Sequence, residues 1–345
     1  MDERSVGYWN YFAEEARLAG APLYARLAEG VAGDDSLQAL ANNARQGQPP
    51  ANLLFAAVHF LLLRGAAHPL RRHYANLAAG APPPDEDPFP LFADFCARHE
   101  ESLCALIRAR VTNTNEVGRS ATLAAGFRAL GAEAGEPLHL IEIGPSAGLN
   151  LIWDRYLIRY RRGPEERLAG PADSGLTLES EVRGNGFPPT GRTPRIASRL
   201  GLERHPVDLS DAGDRDWLRA LVWPDRVERF RRLEAAMAMF VAAPPAIRAG
   251  DALSLLPEAL AEAPQSEPVC VYHSFVTYQF SGEARAALGD LLTAAGLRRT
   301  VWRMSFEGSA HNQNTLTLRR YRDGLVEKRI LARSHPHGAW IEWLA

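Results

Sequence analysis

The stretch Leu138 to Asn150, LHLIEIGPSAGLN, limits the fold of this chain more than any other. Leu138, Leu140, Ile141 and Ile143 make an apolar run with few polar interruptions. A strand buried on both faces needs that composition, and parallel sheets are where such strands occur. Glu142-x-Gly144-x-Ser146-x-Gly148 then punctuates the run and opens into a predicted helix over Leu149 to Tyr160. Glycines let the backbone bend sharply and approach a ligand, and free N–H groups at a helix start favour an electron-rich group. The segment reads as a nucleotide-binding turn.

Upstream the texture is different. Ala- and Leu-rich segments at helical spacing fill the chain to about residue 131, broken at Gly20-Ala21-Pro22, Gln48-Pro49-Pro50 and Ala81-Pro82-Pro83-Pro84. Trp9, Phe12, Ala16 and Ala19 fall on one stripe and Phe92, Phe95, Cys96 and His99 on another, as core-facing helices require. Residues 1–131 are therefore expected to form an all-helical domain or cap, and 132–345 an α/β domain. In the latter, about 161–198 is rich in Gly, Pro and charge and reads as an insertion, with Leu176 to Val182 as a hairpin arm over the site. Further strands are expected at Leu200–Leu209, Ala246–Ala252, Pro268–Ser274 and Arg298–Phe306. Thr315–Tyr321 and Val326–Ala332 should pair antiparallel around Asp323-Gly324.

Charge and cysteine content narrow the partners. With 39 Lys and Arg against 41 Asp and Glu, the formal charge of −2 creates no global field for nucleic acid or an anionic membrane, so a small-molecule substrate is expected. Oligomeric state is not legible. Cys96, Cys104 and Cys270 form no CxxC pair, which fits reduced thiols, and MDERSVGYWNYF has no apolar signal core, so a cytoplasmic protein is expected. Asn52 to Leu63 is far shorter than the ~20 residues that cross a bilayer and should be a buried helix. Metal binding has little support. His59, His68 and His73 come without a carboxylate set, and His335-Pro336-His337 reads as a loop rather than a strand with both rings on one face.

Candidate chemistry gathers where strands end, since open α/β sheets place reacting groups at the carboxyl edge. His273 is the candidate general base, an imidazole that titrates at about 6.5 when unperturbed, and Tyr278 is a candidate to orient substrate. Trp302 and Glu307 flank the fifth strand of the α/β domain. Asn115, Glu116 and Arg119 form a polar cluster that reads as one helical face, with Arg119 a candidate clamp for a carboxylate or phosphate. A capping and docking cluster explains the same residues. Gly144-Pro145-Ser146-Ala147-Gly148 also fits a G-x-S-x-G nucleophile elbow, with Asp251 and then His311, His335 or His337 in triad order. Against it, a hydrolase elbow has several strands upstream, and this chain offers helices.

The order of elements resembles the S-adenosylmethionine-dependent methyltransferase fold, a Rossmann-like, mostly parallel sheet with a terminal antiparallel hairpin. Shared features are a glycine turn after the first strand, acids after the second and third, and a polar end to the fourth. The resemblance implies S-adenosylmethionine as cofactor, with Glu142, Gly144, Ser146 and Gly148 around its methionine part. It implies Glu203, or Asp208, at the ribose and Asp251 at the adenine amino group. Ser146 stands where the middle glycine is usual, and Pro145 removes one backbone donor. The implied reaction is methyl transfer to a small nucleophile. A non-catalytic binding protein on the same shell is the alternative, and a serine hydrolase using Ser146 a further one. A nicotinamide enzyme fits less well, because the G-x-G-x-x-G spacing is missing. Over nearly the full chain, NLLFAAVHFLLLRGAAHPL, NEVGR, EIGPSAGLNLIWDRY, PVDLSD with WLRALVWPD, and RAGDALSLLP resemble the bacterial domain-of-unknown-function family DUF2332. That kinship implies a fold and carries no activity with it. Asp154 and Arg155 belong to the same pattern and are expected to serve a helix-anchoring ion pair.

Overall fold

A computed structural model describes residues 3–78, 80, 86–308 and 314–345. Ala81 to Pro84 and His311 lie outside them. The chain divides into two compact units, Met1–Thr114 with Val207–Glu234, and Asn115–Pro206 with Ala235–Ala345.

The first unit is helical. It contains α1 (Glu3–Leu18), α2 (Pro22–Ala32), α3 (Asp35–Ala41), α4 (Pro50–Leu63), α5 (Phe89–Arg98) and α6 (Glu100–Ala109). Proline in the first turn of α2, α4 and α5 fits where the missing N–H has no partner to lose. α4 holds all of the apolar run 52–63, and its Phe55 meets Trp9, Phe12, Tyr24 and Phe92 edge-on or tilted. α8 (Ala212–Ala220) returns to this core through Trp217, whose indole donates to the Val111 carbonyl at 2.9 Å. So residues 207–234, expected in the α/β part, belong to the helical unit. α7 (Arg119–Ala134), grouped by texture with the helices, belongs to the sheet unit.

The second unit is mixed α/β. Its sheet has β1 (Leu138–Ile143), β2 (Leu157–Arg162), β3 (Glu165–Ala169), β4 (Thr177–Arg183), β5 (Ile196–Glu203), β6 (Ala246–Ala249), β7 (Val269–Ser274), β8 (Val301–Gly308), β9 (Asn314–Arg322), β10 (Leu325–Ser334) and β11 (Trp340–Trp343). The order is β3-β2-β4-β11-β10-β9-β8-β7-β1-β5-β6, mostly parallel. α10 (Ala252–Glu262) and α11 (Gly282–Gly296) belong to this unit, and α9 (Val227–Ala242) carries the chain from the first unit into it.

Two expectations are corrected here. The helix expected over 149–160 is a 3-10 segment, Leu149–Arg155, followed at once by β2. The expected insertion is no arm over a site. It supplies β3 and β4, which flank β2 at one end of the sheet, and β11 joins them to β10. The terminal Trp340–Trp343 segment is thus an internal strand of the sheet.

Both faces of the parallel region are covered, which explains the wholly buried β1 and β7. Ile141, Ile143, Val269, Val271 and Val301 meet Leu256 and Leu260 of α10 and Leu288 and Leu292 of α11 on one face. α7 lies on the other, so close that a Cβ on Gly126 would meet the Met304 Sδ at 2.3 Å.

Candidate functional site

β1 runs between β5 and β7, and from it the chain builds outward both ways, so β1 and β7 flank the topological switch point at which open α/β sheets bind ligands. The parallel register brings the ends of β5, β1, β7 and β8 to one edge.

The turn after β1 is strained in the expected way. Gly144, Ser146 and Gly148 all have positive φ (67°, 58° and 82°), and at Ser146 a side chain tolerates a conformation that glycine adopts freely. Protein side chains account for both glycines. A Cβ on Gly144 would meet Val276 at 2.7 Å, and one on Gly148 would meet Ile247 and Phe240 at 2.9 Å. The strained bend is braced by Glu203 at the end of β5, whose carboxylate accepts from the Ser146 N–H (2.9 Å) and the His205 N–H (3.1 Å).

Glu142 is buried on the α7 face of β1. Its carboxyl accepts from the Tyr272 hydroxyl at 3.0 Å, and Phe127 of α7 meets the Tyr272 ring edge-on. Burial pushes its pKa up to about 8, and the nearby Glu203 charge adds to the rise against the Tyr272 bond and Arg119. The group is mostly protonated at neutral pH.

His273 points the other way. Alternation along β7 puts Tyr272 with Glu142 and His273 with Val271 on the α10 and α11 face. The structure therefore does not bring His273 to Glu142. Arg303 donates to His273 Nε2 from Nε (3.1 Å) and Nη2 (3.0 Å). A guanidinium only donates, so Nε2 accepts and the ring proton sits on Nδ1, 2.6 Å from Glu307 Oε1. Both nitrogens are engaged, and burial, with Arg303 alongside, holds the imidazole below its ordinary pKa against the pull of Glu307. Glu307 also accepts from the backbone N–H of Val276 (3.0 Å) and Thr277 (3.2 Å). Burial alone would raise its pKa; these donors, led by His273, lower it instead. Glu307 is anionic beside a neutral histidine.

The remaining expected residues separate. Asp251 is the N-cap of α10, accepting from the N–H groups of Leu253 (3.0 Å) and Ser254 (3.2 Å) and from Arg204 at 2.6 Å. Asp208 turns inward on its own loop toward Ser210. Tyr278 is 70% exposed, and its hydroxyl accepts from its neighbour Gln279 at 3.1 Å. Asn115 and Arg119 do not share a helical face, because α7 begins at Arg119. Asn115 accepts from the Leu149 N–H at 2.9 Å, while buried Glu116 accepts from the Gly118 N–H. Arg119 donates to the carbonyls of Pro336 and Ser274 and covers the Phe275 ring at 4.4 Å. Asp154 makes its ion pair with Arg199, through two bonds of 2.7 and 3.0 Å, rather than with Arg155.

Sequence reasoning passed over Tyr272 and Arg303. Each is set by strand register, and Tyr272 was readable as the residue paired with Glu142 once β1 and β7 are neighbours.

A protein-family comparison matches residues 9–343 to the model described as "Uncharacterized protein conserved in bacteria (DUF2332)". The chain belongs to that family. No curated protein and no solved structure matches it. Among the described residues no group of three or more His, Cys, Asp or Glu side chains is placed to hold a metal ion, and no helix is long and apolar enough to cross a membrane.

Proposed function

We propose that this family member is an S-adenosylmethionine-dependent methyltransferase for a small molecule, with its site at the β1 and β5 edge. The observation that carries the reading is the pair of acids, Glu142 kept neutral by burial and Glu203 near it, at the left-handed turn beside the switch point. A buried carboxyl kept neutral next to a second acid gains a favourable charge when a cation arrives, because the cation restores its ionised form. Phosphate-bearing cofactors would meet repulsion at the same place. When bound, S-adenosylmethionine supplies an electrophilic methyl on a cationic sulfur. Glu203 is the residue available to orient it, Glu142 neutralises its charge by releasing a proton, and the burial of Glu142 excludes water there. The two glycines lend nothing to the reading, since Val276, Ile247 and Phe240 explain them.

Calorimetric titration at pH 7 in two buffers of different ionisation enthalpy tests it. Saturable binding whose heat depends on the buffer, with uptake weakened about tenfold by Glu203→Gln, is expected. Absence of saturable heat overturns the reading and leaves a non-catalytic binding protein. The hydrolase alternative retains one favourable observation, the positive φ of Ser146 after a strand. Asp251, its acid, is committed to α10 and Arg204, and labelling of Ser146 by an activated-serine probe would decide for it.

A further inference from the structure

Arginines in this sheet are generally matched by acids. Arg320 faces Glu327 across β9 and β10 at 2.7 Å, Arg333 meets Glu342 at 3.2 Å, and Arg159 meets Glu179 at 3.0 Å. One row breaks the rule. Arg303 on β8 stands directly opposite Arg319 on β9, which stands opposite Lys328 on β10. Like charges at opposed positions repel, and three in a row on adjacent strands is a cost that a fold carries without benefit unless something anionic offsets it. Among the described residues no carboxylate forms an ion pair with any of the three; Arg303 bonds His273, and Arg319 donates to the Ser305 hydroxyl at 3.2 Å.

The alternation of β8 puts Arg303 and Ser305 on the α11 face, with His273, while Trp302, Met304 and Phe306 turn to the α7 face. Arg303 is held in place by the chain Glu307, His273 Nδ1–H, His273 Nε2, so that its Nε and Nη2 are occupied and Nη1 is left to another acceptor. Arg319 is fixed through Nη1, leaving Nε and Nη2. Both arginines are partly buried, beside the buried hydroxyl-bearing Ser305 and Thr317 on the same face. Exposed Val326 and Ile330 on β10 bound the row, so the positive charge is a spot and not a track.

The geometry points to a binding site for a small oxyanion, a phosphate or carboxylate group, held between Arg303 and Arg319 with the Ser305 hydroxyl beside them and Lys328 at the rim. Planar forks with unspent donors suit such an acceptor. The site lies on the opposite face from Glu142, and either assignment can fail without the other.

Thermal unfolding and calorimetry with inorganic phosphate, and separately with acetate, against sodium chloride at matched ionic strength, read it out. Saturable stabilisation by at least one of the two, weakened about tenfold or more by Arg319→Gln and less by Arg319→Lys, is expected; which anion wins tells a phosphoryl ligand from a carboxylate. In the absence of anion Arg319→Gln should unfold at the same temperature as the wild type or higher, because a repulsion has gone. Lys328→Gln is exposed and should weaken binding about two- to threefold, so it serves if Arg319→Gln does not fold. No saturable response beyond chloride in the wild type, or a response untouched by Arg319→Gln and Lys328→Gln, overturns the site.

Discussion

Glu142 and Glu307 end neighbouring regions of one sheet edge, on opposite faces, and their carboxyl groups are driven in opposite directions. Each is largely buried, so burial does not distinguish them. Glu307 collects three N–H donors, from His273, Val276 and Thr277, whereas Glu142 receives the Tyr272 hydroxyl and faces a second acid. The count of donors, rather than depth, decides which carboxyl keeps its charge. One region is locked by its own hydrogen bonds and the other holds a proton it can give up.

The largest expected effect comes from the locked side. Glu307→Ala strands two backbone N–H groups and the His273 proton, and a loss of ~3 kcal/mol or more in urea unfolding is expected. Glu307→Gln, which can still accept, should cost clearly less; equal losses would break the comparison. On the other side the effect is one of pH. The raised Glu142 stabilises the fold fully below its ordinary pKa of 4.5 and ceases to do so as pH climbs through about 8. Wild-type stability should therefore fall over that window at up to ~1.4 kcal/mol per pH unit, and Glu142→Gln should flatten the fall. Parallel curves for the two proteins would contradict the assignment. Glu307 has the opposite sign, contributing above its ordinary value and losing that contribution as pH drops through its lowered one. Smallest is the exposed acid. Asp251→Ala removes a helix cap and should cost ~1 kcal/mol, whereas Asp251→Asn, which still caps α10, should leave stability nearly unchanged.

Much of the sheet could be read in advance because one-dimensional patterns encode it. The apolar runs of β1 and β7 mark strands covered on both sides, and Asp323-Gly324, both at positive φ (52° and 78°), marks the β9 to β10 turn. β2 was obscured although Ile158 and Tyr160 alternate with Arg159 and Arg161, because the helical expectation from Leu149 ran straight through it. β11 is too short for periodicity to show. The candidate site was legible in its positions and not in its partners. Glu142 was marked by the end of an apolar run and Glu203 only by the methyltransferase resemblance, while which face a residue takes, and that His273 meets Arg303 and Glu307, depends on register between strands distant in sequence.

Among the described residues, Trp340–Trp343 alone link β4 to β10. Deleting or unpairing them would turn one continuous sheet into two pieces, each showing a raw edge of unsatisfied N–H and C=O groups, which is a template for sticking to other chains. Their pairing with residues 181–183 also spans most of the unit in sequence, so closure of that seam is set to be among its slower folding events.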